Sequence, residues 1–212
     1  MLLKSLLPIT TISANQFDQL VASAELIVAD LMGPKVMKLD NGNMIKLFRR
    51  KRLLSSALFA PYAVRFTNNA YKLKALDIPT ITPVELFYCP QRKMHVIEYQ
   101  PLDGELLRGQ LTESTDDKLF NLTAAFIAEL HHKGIYFRSL HFENIIYHEH
   151  KLGLIDIADM KIYPRPLSQA LRQRNFQHFM RYAADAALIN RFGQDKFEAI
   201  YQKALRDESN IA

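Results

Sequence analysis

The feature that most constrains the fold is a change of periodicity near residue 100. Before it, apolar runs of strand length alternate with turn residues; after it, apolar residues recur at helical spacing. Val36-Met37-Lys38-Leu39 and Met44-Ile45-Lys46-Leu47-Phe48 flank Asp40-Asn41-Gly42-Asn43. Asn-Gly reaches positive φ at little cost, so it favours a tight hairpin between β-compatible runs. Leu26-Ile27-Val28-Ala29 lies ahead of Met32-Gly33-Pro34-Lys35, read as a turn, so residues 26–48 are expected as a three-stranded antiparallel meander. A short helix from Asn15 precedes it. Residues 53–76 are helical in pattern, broken at Pro61 and ended by Ile78-Pro79. Val84 to Tyr88 and Met94 to Tyr99 read as two more strands, turning at Pro90-Gln91-Arg92-Lys93.

From Asp116 to His132 the pattern is that of an amphipathic helix, with Leu119, Leu122, Phe126 and Leu130 on one stripe and Gly134 placed to cap it. Ile145-Ile146-Tyr147 and Leu152-Gly153-Leu154-Ile155 are short strands around His148-Glu149-His150-Lys151, and residues 167–206 are mainly helical. The expected fold class is α+β: a small β-rich lobe over residues 1–99 and a compact helical lobe over residues 100–212, forming one domain overall. The default place for a site is the cleft between such lobes.

Composition narrows the functions. Hydrophobic residues at 49% and charged residues at 23% exclude a disordered, fibrous or low-complexity chain. Cys89 is the single cysteine, so an intrachain disulfide is excluded, a cysteine zinc site is not expected, and a reducing, cytoplasmic setting is. The net charge of +5 suits an anionic partner. Part of it sits in Arg49-Arg50-Lys51-Arg52, open between a solvated strand end and an anion site. Met1 to Leu7 is apolar, but Pro8, Thr10 and Thr11 interrupt it before a signal peptide accumulates. No apolar run reaches the ~18 residues of a membrane span. A peripheral contact with the inner membrane through the basic cluster stays open. With no zinc motif, recognition helix or aromatic-basic repeat, nucleic acid is not an expected partner.

The segments with chemical content lie at the ends of these elements. Phe137-Arg138-Ser139-Leu140-His141-Phe142-Glu143-Asn144 follows the helix and Gly134. It resembles the protein-kinase loop His-Arg-Asp-Leu-x-x-x-Asn: Arg138, Leu140 and Asn144 match, while Phe137 and Ser139 replace His and Asp. Leu154-Ile155-Asp156-Ile157-Ala158-Asp159 resembles the kinase Asp-Phe-Gly segment. An Asp ending an apolar strand suits a cation, against the alternative of a helix N-cap or turn Asp, and the resemblance implies Asp156 and Asn144 (otherwise a turn-forming Asn) as the Mg²⁺ ligands. Lys46, mid-strand among apolar residues, is the candidate partner of ATP phosphates, against the alternative of a solvent-facing strand lysine. Gly33 stands where a phosphate loop would lie, and Glu98-Tyr99 where the adenine-contacting hinge would be, its backbone doing that work. Asn69 stands near the position at which kinases carry a Glu paired with the strand Lys.

The resemblance covers about residues 26–185. It narrows to the lipopolysaccharide kinase (Kdo/heptose kinase) family within the protein-kinase-like fold, closest to the branch labelled toluene-tolerance proteins. It implies a two-lobed fold and transfer of phosphate from Mg·ATP to an anionic sugar or glycolipid acceptor at the inner face of the cytoplasmic membrane. Pro164-Arg165-Pro166 closes the segment after Asp156 quickly and no Ala-Pro-Glu follows, so a compact acceptor such as a sugar is expected rather than a docked peptide.

Ser139 departs from that pattern where kinases place the Asp that takes the acceptor proton. Two readings stay open. Transfer survives, with His141, Glu143 or Asp159 substituting, because phosphoryl transfer rests mostly on positioning and charge. Alternatively the chain is a pseudokinase that binds nucleotide, or nothing, and serves as a scaffold or regulator in envelope maintenance.

Overall fold

The computed structural model describes residues 3–49, 61–113 and 117–209. Arg50, Lys51 and Arg52 of the basic cluster, and the helical pattern over residues 53–60, lie outside the described residues. The chain divides into two compact units, Met1–Leu102 and Asp103–Ala212.

The first unit contains β1 (Ile9–Thr11), α1 (Ala14–Ala22), β2 (Glu25–Asp30), β3 (Gly33–Lys38), β4 (Met44–Arg49), α2 (Tyr62–Ala75), β5 (Thr82–Cys89) and β6 (Met94–Gln100). They build a six-stranded sheet in the order β1-β5-β6-β4-β3-β2. The meander β2-β3-β4 is antiparallel as expected, and Gly42 turns its second hairpin at φ 84°. The Leu39 N–H donates to the Asn43 carbonyl at 2.8 Å to close that turn.

One expectation needs correction. Asp30 pairs with Gly33, so only Leu31 and Met32 connect β2 to β3, and Gly33, Pro34 and Lys35 belong to β3 rather than to a turn. The Asp30 carboxylate accepts the Met32 N–H at 2.8 Å and so tightens the connection. Thr10 and Thr11, which interrupt the apolar start of the chain, also form β1, parallel to β5. β-branched residues suit such an exposed edge strand, and polarity alone hides that preference.

Local chemistry sets the helix ends. Ser13 and Gln16 form a capping box: the Ser13 Oγ accepts the Gln16 N–H at 3.3 Å, and the Gln16 Oε1 accepts the Ser13 N–H at 2.8 Å. Phe17 then joins Ile12, Met37, Ile45, Leu47, Cys89 and Val96 in one core cluster. Pro61 sits at the N-cap of α2 rather than inside a helix, where its missing N–H costs nothing. Phe66, Ala70 and Leu73 of α2 are buried, and the helix packs on β5 and β6. Each large apolar side chain buried this way contributes about 1.5–3 kcal/mol.

The second unit contains β7 (Glu105–Leu106), α3 (Leu107–Glu113), α4 (Asp117–His132), β8 (Ile135–Tyr136), β9 (Ile145–His148), β10 (Lys151–Leu154), β11 (Lys161–Ile162), α5 (Gln169–Phe179), α6 (Ala183–Phe192) and α7 (Gln194–Ser209). α4 packs along α7. Its buried face includes Phe120, Ala124, Phe126, Ile127 and Leu130, so Phe126 and Leu130 of the expected stripe are buried while Leu119 and Leu122 are only half-buried. Gly134 ends the helix at φ 74°, and a Cβ there would fall on the carbonyl oxygens of Tyr163 and Arg165. Among the described residues no helix is long and apolar enough to cross a membrane.

Candidate functional site

Two short ladders position the loop that carries Ser139. β8 pairs with β11, Tyr136 opposite Lys161 and Ile135 opposite Ile162. β9 pairs with β10, Ile145 opposite Leu154. The loop from β8 to β9 and the segment from β10 to β11 are therefore each clamped at both ends by the same two ladders, and they must run beside one another. Ser139 and Asp159 meet as a result: the Ser139 Oγ donates to the Asp159 Oδ2 at 2.5 Å.

The same construction brings Asn144 to Asp156. The Asn144 carbonyl accepts the Ile155 N–H at 3.0 Å, one step beyond the Ile145–Leu154 pair, so both residues stand at the same end of the hairpin. The Asn144 Nδ2 donates to the Ser139 carbonyl at 2.8 Å, which orients the amide and turns its Oδ1, an acceptor, away from that carbonyl. Asp156 is left-handed at φ 52° and ψ 40°. A non-glycine residue pays roughly 1–2 kcal/mol for that conformation, a cost often retained where a carboxylate must be aimed.

Charge in the site is unevenly solvated. Burial holds the Asp159 carboxyl above its ordinary range; the Ser139 hydrogen bond and Arg138 oppose this, and the neighbouring Asp156 adds to it. Its Oδ1 is buried with no hydrogen-bond partner among the described residues. Burial likewise holds His141 below its ordinary value, with Asp185 the largest opposing influence. The His141 ring lies 4.4 Å from that of Tyr182, and its Nδ1 is also buried without a partner among the described residues. His141 is therefore a neutral, packed imidazole near neutral pH. Glu143, the other candidate substitute base, pairs with Arg108 at 2.5 Å. Arg138 is exposed.

Several supporting residues were not legible as site residues. Asp185 of α6, fully buried, accepts the Phe142 N–H at 2.7 Å and the Arg108 Nε–H at 2.8 Å. Asn175 of α5 holds the loop start: its Nδ2 donates to the Phe137 carbonyl at 2.7 Å and its Oδ1 accepts the Phe137 N–H at 3.3 Å. That orientation leaves only the amide oxygen facing His131, whose Nε2 is 3.2 Å away, so His131 carries its proton there. Its Nδ1 then accepts the Tyr201 hydroxyl proton at 2.7 Å. Burial pushes His131 down to about 4 and Tyr201 up to about 12. Asn175 inside α5 and Asp185 in the first turn of α6 carry little signal in a single sequence, because exposed, capping and turn roles are so common for Asn and Asp.

In the first unit, Lys46 lies on β4 between Val36 of β3 and Ile97 of β6. It is 5% exposed, which removes the alternative of a solvent-facing strand lysine. Its Nζ lies 5.2 Å from the Phe66 ring centre and 5.7 Å from that of Phe48. Asn69 is buried on α2. Tyr99 is buried edge-on against Phe66, with ring centres 5.6 Å apart. The Glu98 carboxylate accepts from Asn43 at 2.6 Å and Asn41 at 3.3 Å, so its side chain pins the β3–β4 turn. Gly33 packs under Arg49, whose guanidinium pairs with Asp30 at 3.2 Å and donates to the Pro34 carbonyl at 2.7 Å. Arg49 is thus engaged within its own sheet.

Among the described residues no group of three or more His, Cys, Asp or Glu side chains is arranged to hold a metal ion. Asp156 with the Asn144 Oδ1 is a smaller, all-oxygen set. It fits Mg²⁺, which is commonly held by one or two carboxylates and completed by substrate phosphates and water.

No protein-family profile matches the chain. Over 122 residues it is 34% identical to the serine/threonine-protein kinase kin-29 of Caenorhabditis briggsae, a match covering 57% of this chain and 13% of that protein. The chain therefore spans well under two thirds of the length of that curated relative. It superposes on the solved structure described as WaaP in complex with acyl carrier protein with a TM-score of 0.58 and 17% identity, covering 92% of this chain and 87% of that one. The fold is α+β and protein-kinase-like, with the β-sheet in the N-terminal region and the helices in the C-terminal region.

Proposed function

We propose that this chain is a kinase-like phosphotransferase that moves the γ-phosphoryl group of ATP to a hydroxyl of a lipopolysaccharide-core sugar or related envelope glycolipid. The observation that carries the reading is the convergence of Ser139, Asn144, Asp156 and Asp159 where the two short ladders meet. Phosphoryl transfer needs this kind of arrangement: oxygen ligands for a metal beside a group that receives a hydroxyl proton. Asp156 and Asn144 would hold Mg²⁺, which when bound offsets the charge of the phosphates. Lys46 is assigned to the phosphates, the Gly33 segment to their cover, and the backbone at Glu98 and Tyr99 to the adenine. Asn69 is the uncharged neighbour assigned to Lys46.

The acceptor class rests on the motif Phe137-Arg138-Ser139-Leu140-His141 and on Leu154 to Asp159, which resemble the lipopolysaccharide kinase family and its toluene-tolerance branch. A net charge of +5 supports an anionic acceptor presented at the inner face of the cytoplasmic membrane. The test is mass spectrometry of core oligosaccharide from a strain lacking the chain. Loss of one phosphate is the expected result, and its restoration by purified chain with Mg·ATP completes the test. An unchanged core, with nucleotide binding intact, would favour the second reading: a pseudokinase, suggested by Ser139, acting as a scaffold or regulator.

A further inference from the structure

We infer that Ser139 is a catalytic residue of a two-part proton relay, in which its Oγ receives the acceptor's proton while passing its own to Asp159. The inference rests on the phosphotransferase reading above and assigns the base that reading lacks.

Three observations carry it. The hydroxyl and carboxylate are already joined, Ser139 Oγ to Asp159 Oδ2 at 2.5 Å, so the serine proton is committed to Asp159 and the Oγ lone pairs remain for an incoming hydroxyl. Ser139 and Asp159 are both half-buried, and the Asp159 Oδ1 is enclosed and unpartnered among the described residues, so the carboxylate faces outward through the oxygen that Ser139 already holds. The alternatives are otherwise engaged: Glu143 is bound to Arg108, and His141 is packed on Tyr182. Two further contacts fix the relay. Asn144 holds the Ser139 carbonyl, and the β8–β11 ladder closes the segment just after Asp159.

The step balances. The acceptor O–H bond breaks and its proton goes to the Ser139 Oγ, whose own proton moves to the Asp159 Oδ2. The acceptor oxygen bonds to the γ-phosphorus, and the bond from that phosphorus to the β,γ-bridging oxygen breaks, its electron pair leaving with ADP. Asp159 then returns its proton through Ser139 to water. Ser139 touches the acceptor; Asp159 acts through it as a positioning and proton-holding residue. In this geometry the Ser–Asp pair does across two segments what a single loop carboxylate does in a kinase.

A relay makes a prediction that a lone base does not: its two members are not additive. The experiment uses the full chain, Mg·ATP and core oligosaccharide from a deletion strain, with ATP hydrolysis as a second readout in which water replaces the sugar. Ser139→Ala and Asp159→Asn should each lower turnover at least about 100-fold, the lower end of general-base contributions. The double variant should be no slower than the worse single one. Each should keep the Mg·ATP-induced rise in melting temperature. Ser139→Asp in the Asp159→Asn background should recover at least about tenfold, because it returns a carboxylate to the acceptor.

Turnover within about threefold of the parent in Ser139→Ala would overturn the relay, as would losses that multiply in the double variant. Loss of the nucleotide-dependent melting shift in a folded Asp159→Asn chain would also overturn it, by placing Asp159 in nucleotide binding. If Asp159→Asn does not fold, Ser139→Ala alone still decides. A parent chain that binds Mg·ATP but transfers to neither sugar nor water would remove the phosphotransferase reading and the relay together, an outcome distinct from failure of the relay alone.

Discussion

Removing the Asp185 carboxylate should be among the most costly single changes in the second unit. The side chain is fully buried and accepts two hydrogen bonds, from the Phe142 N–H at 2.7 Å and the Arg108 Nε–H at 2.8 Å. Asp185→Ala leaves a buried backbone N–H without an acceptor, at about 1–3 kcal/mol. It also deprives Arg108 of its buried partner. Breaking a buried pair costs about 3–5 kcal/mol in full, but Arg108 is 23% exposed and keeps Glu143, so about 1–2 kcal/mol is the appropriate share. The expected total is about 2–5 kcal/mol. Asp185→Asn keeps one oxygen for the Phe142 N–H but loses the charge and the acceptor for the Arg108 Nε–H, so about 1–2 kcal/mol is expected. Urea denaturation followed by circular dichroism measures both, with the slope checked for constancy. A loss under about 1 kcal/mol for Asp185→Ala, or equal losses for the two variants, would refute this reasoning.

Two further outcomes follow from the same kind of accounting. Gly134→Ala forces a Cβ toward two backbone carbonyls at φ 74°, so it should destabilise by about 2–4 kcal/mol and lower the thermal midpoint of a folded chain; a shift under about 1 kcal/mol would contradict it. His131 should make stability pH-dependent, because its folded value of about 4 lies below its unfolded value near 6.5. The unfolded chain then takes the proton first, so the contribution is complete above about pH 6.5 and is lost as the pH falls toward 4. Between pH 7 and 5 the parent should lose about 2 kcal/mol more than His131→Gln in urea titrations, and equal losses would exclude the neutral buried imidazole.

Local signals were strong enough to show much of the fold in the sequence. Asn41-Gly42 fixes the β3–β4 turn, because few other dipeptides reach the required backbone cheaply. The spacing from Gly134 through Asn144 to Asp156 places the loop and the hairpin correctly, since each is bounded by short elements with little freedom to slide. What could not be read were partners brought together by tertiary structure. Asp159 is one of three candidate substitutes, and only the paired ladders show that it meets Ser139. Arg108 and Asp185, 77 residues apart, have no sequence signature as a pair. Lys46 illustrates a different limit. Strand alternation alone could put it in solvent, and only its central place between β3 and β6 shows it to be buried.

Asp156 and Asn144 are proposed to hold the Mg²⁺ of a Mg·ATP molecule. Isothermal titration of the folded chain with Mg·ATP tests it most directly, comparing the parent with Asp156→Ala. Saturable binding by the parent, weakened at least about tenfold in the variant and by removal of Mg²⁺, is the expected result, since a charge-assisted ligand contributes about 1.5–3 kcal/mol. A folded parent that takes up no nucleotide, or an Asp156→Ala chain that binds it equally well, would contradict the claim.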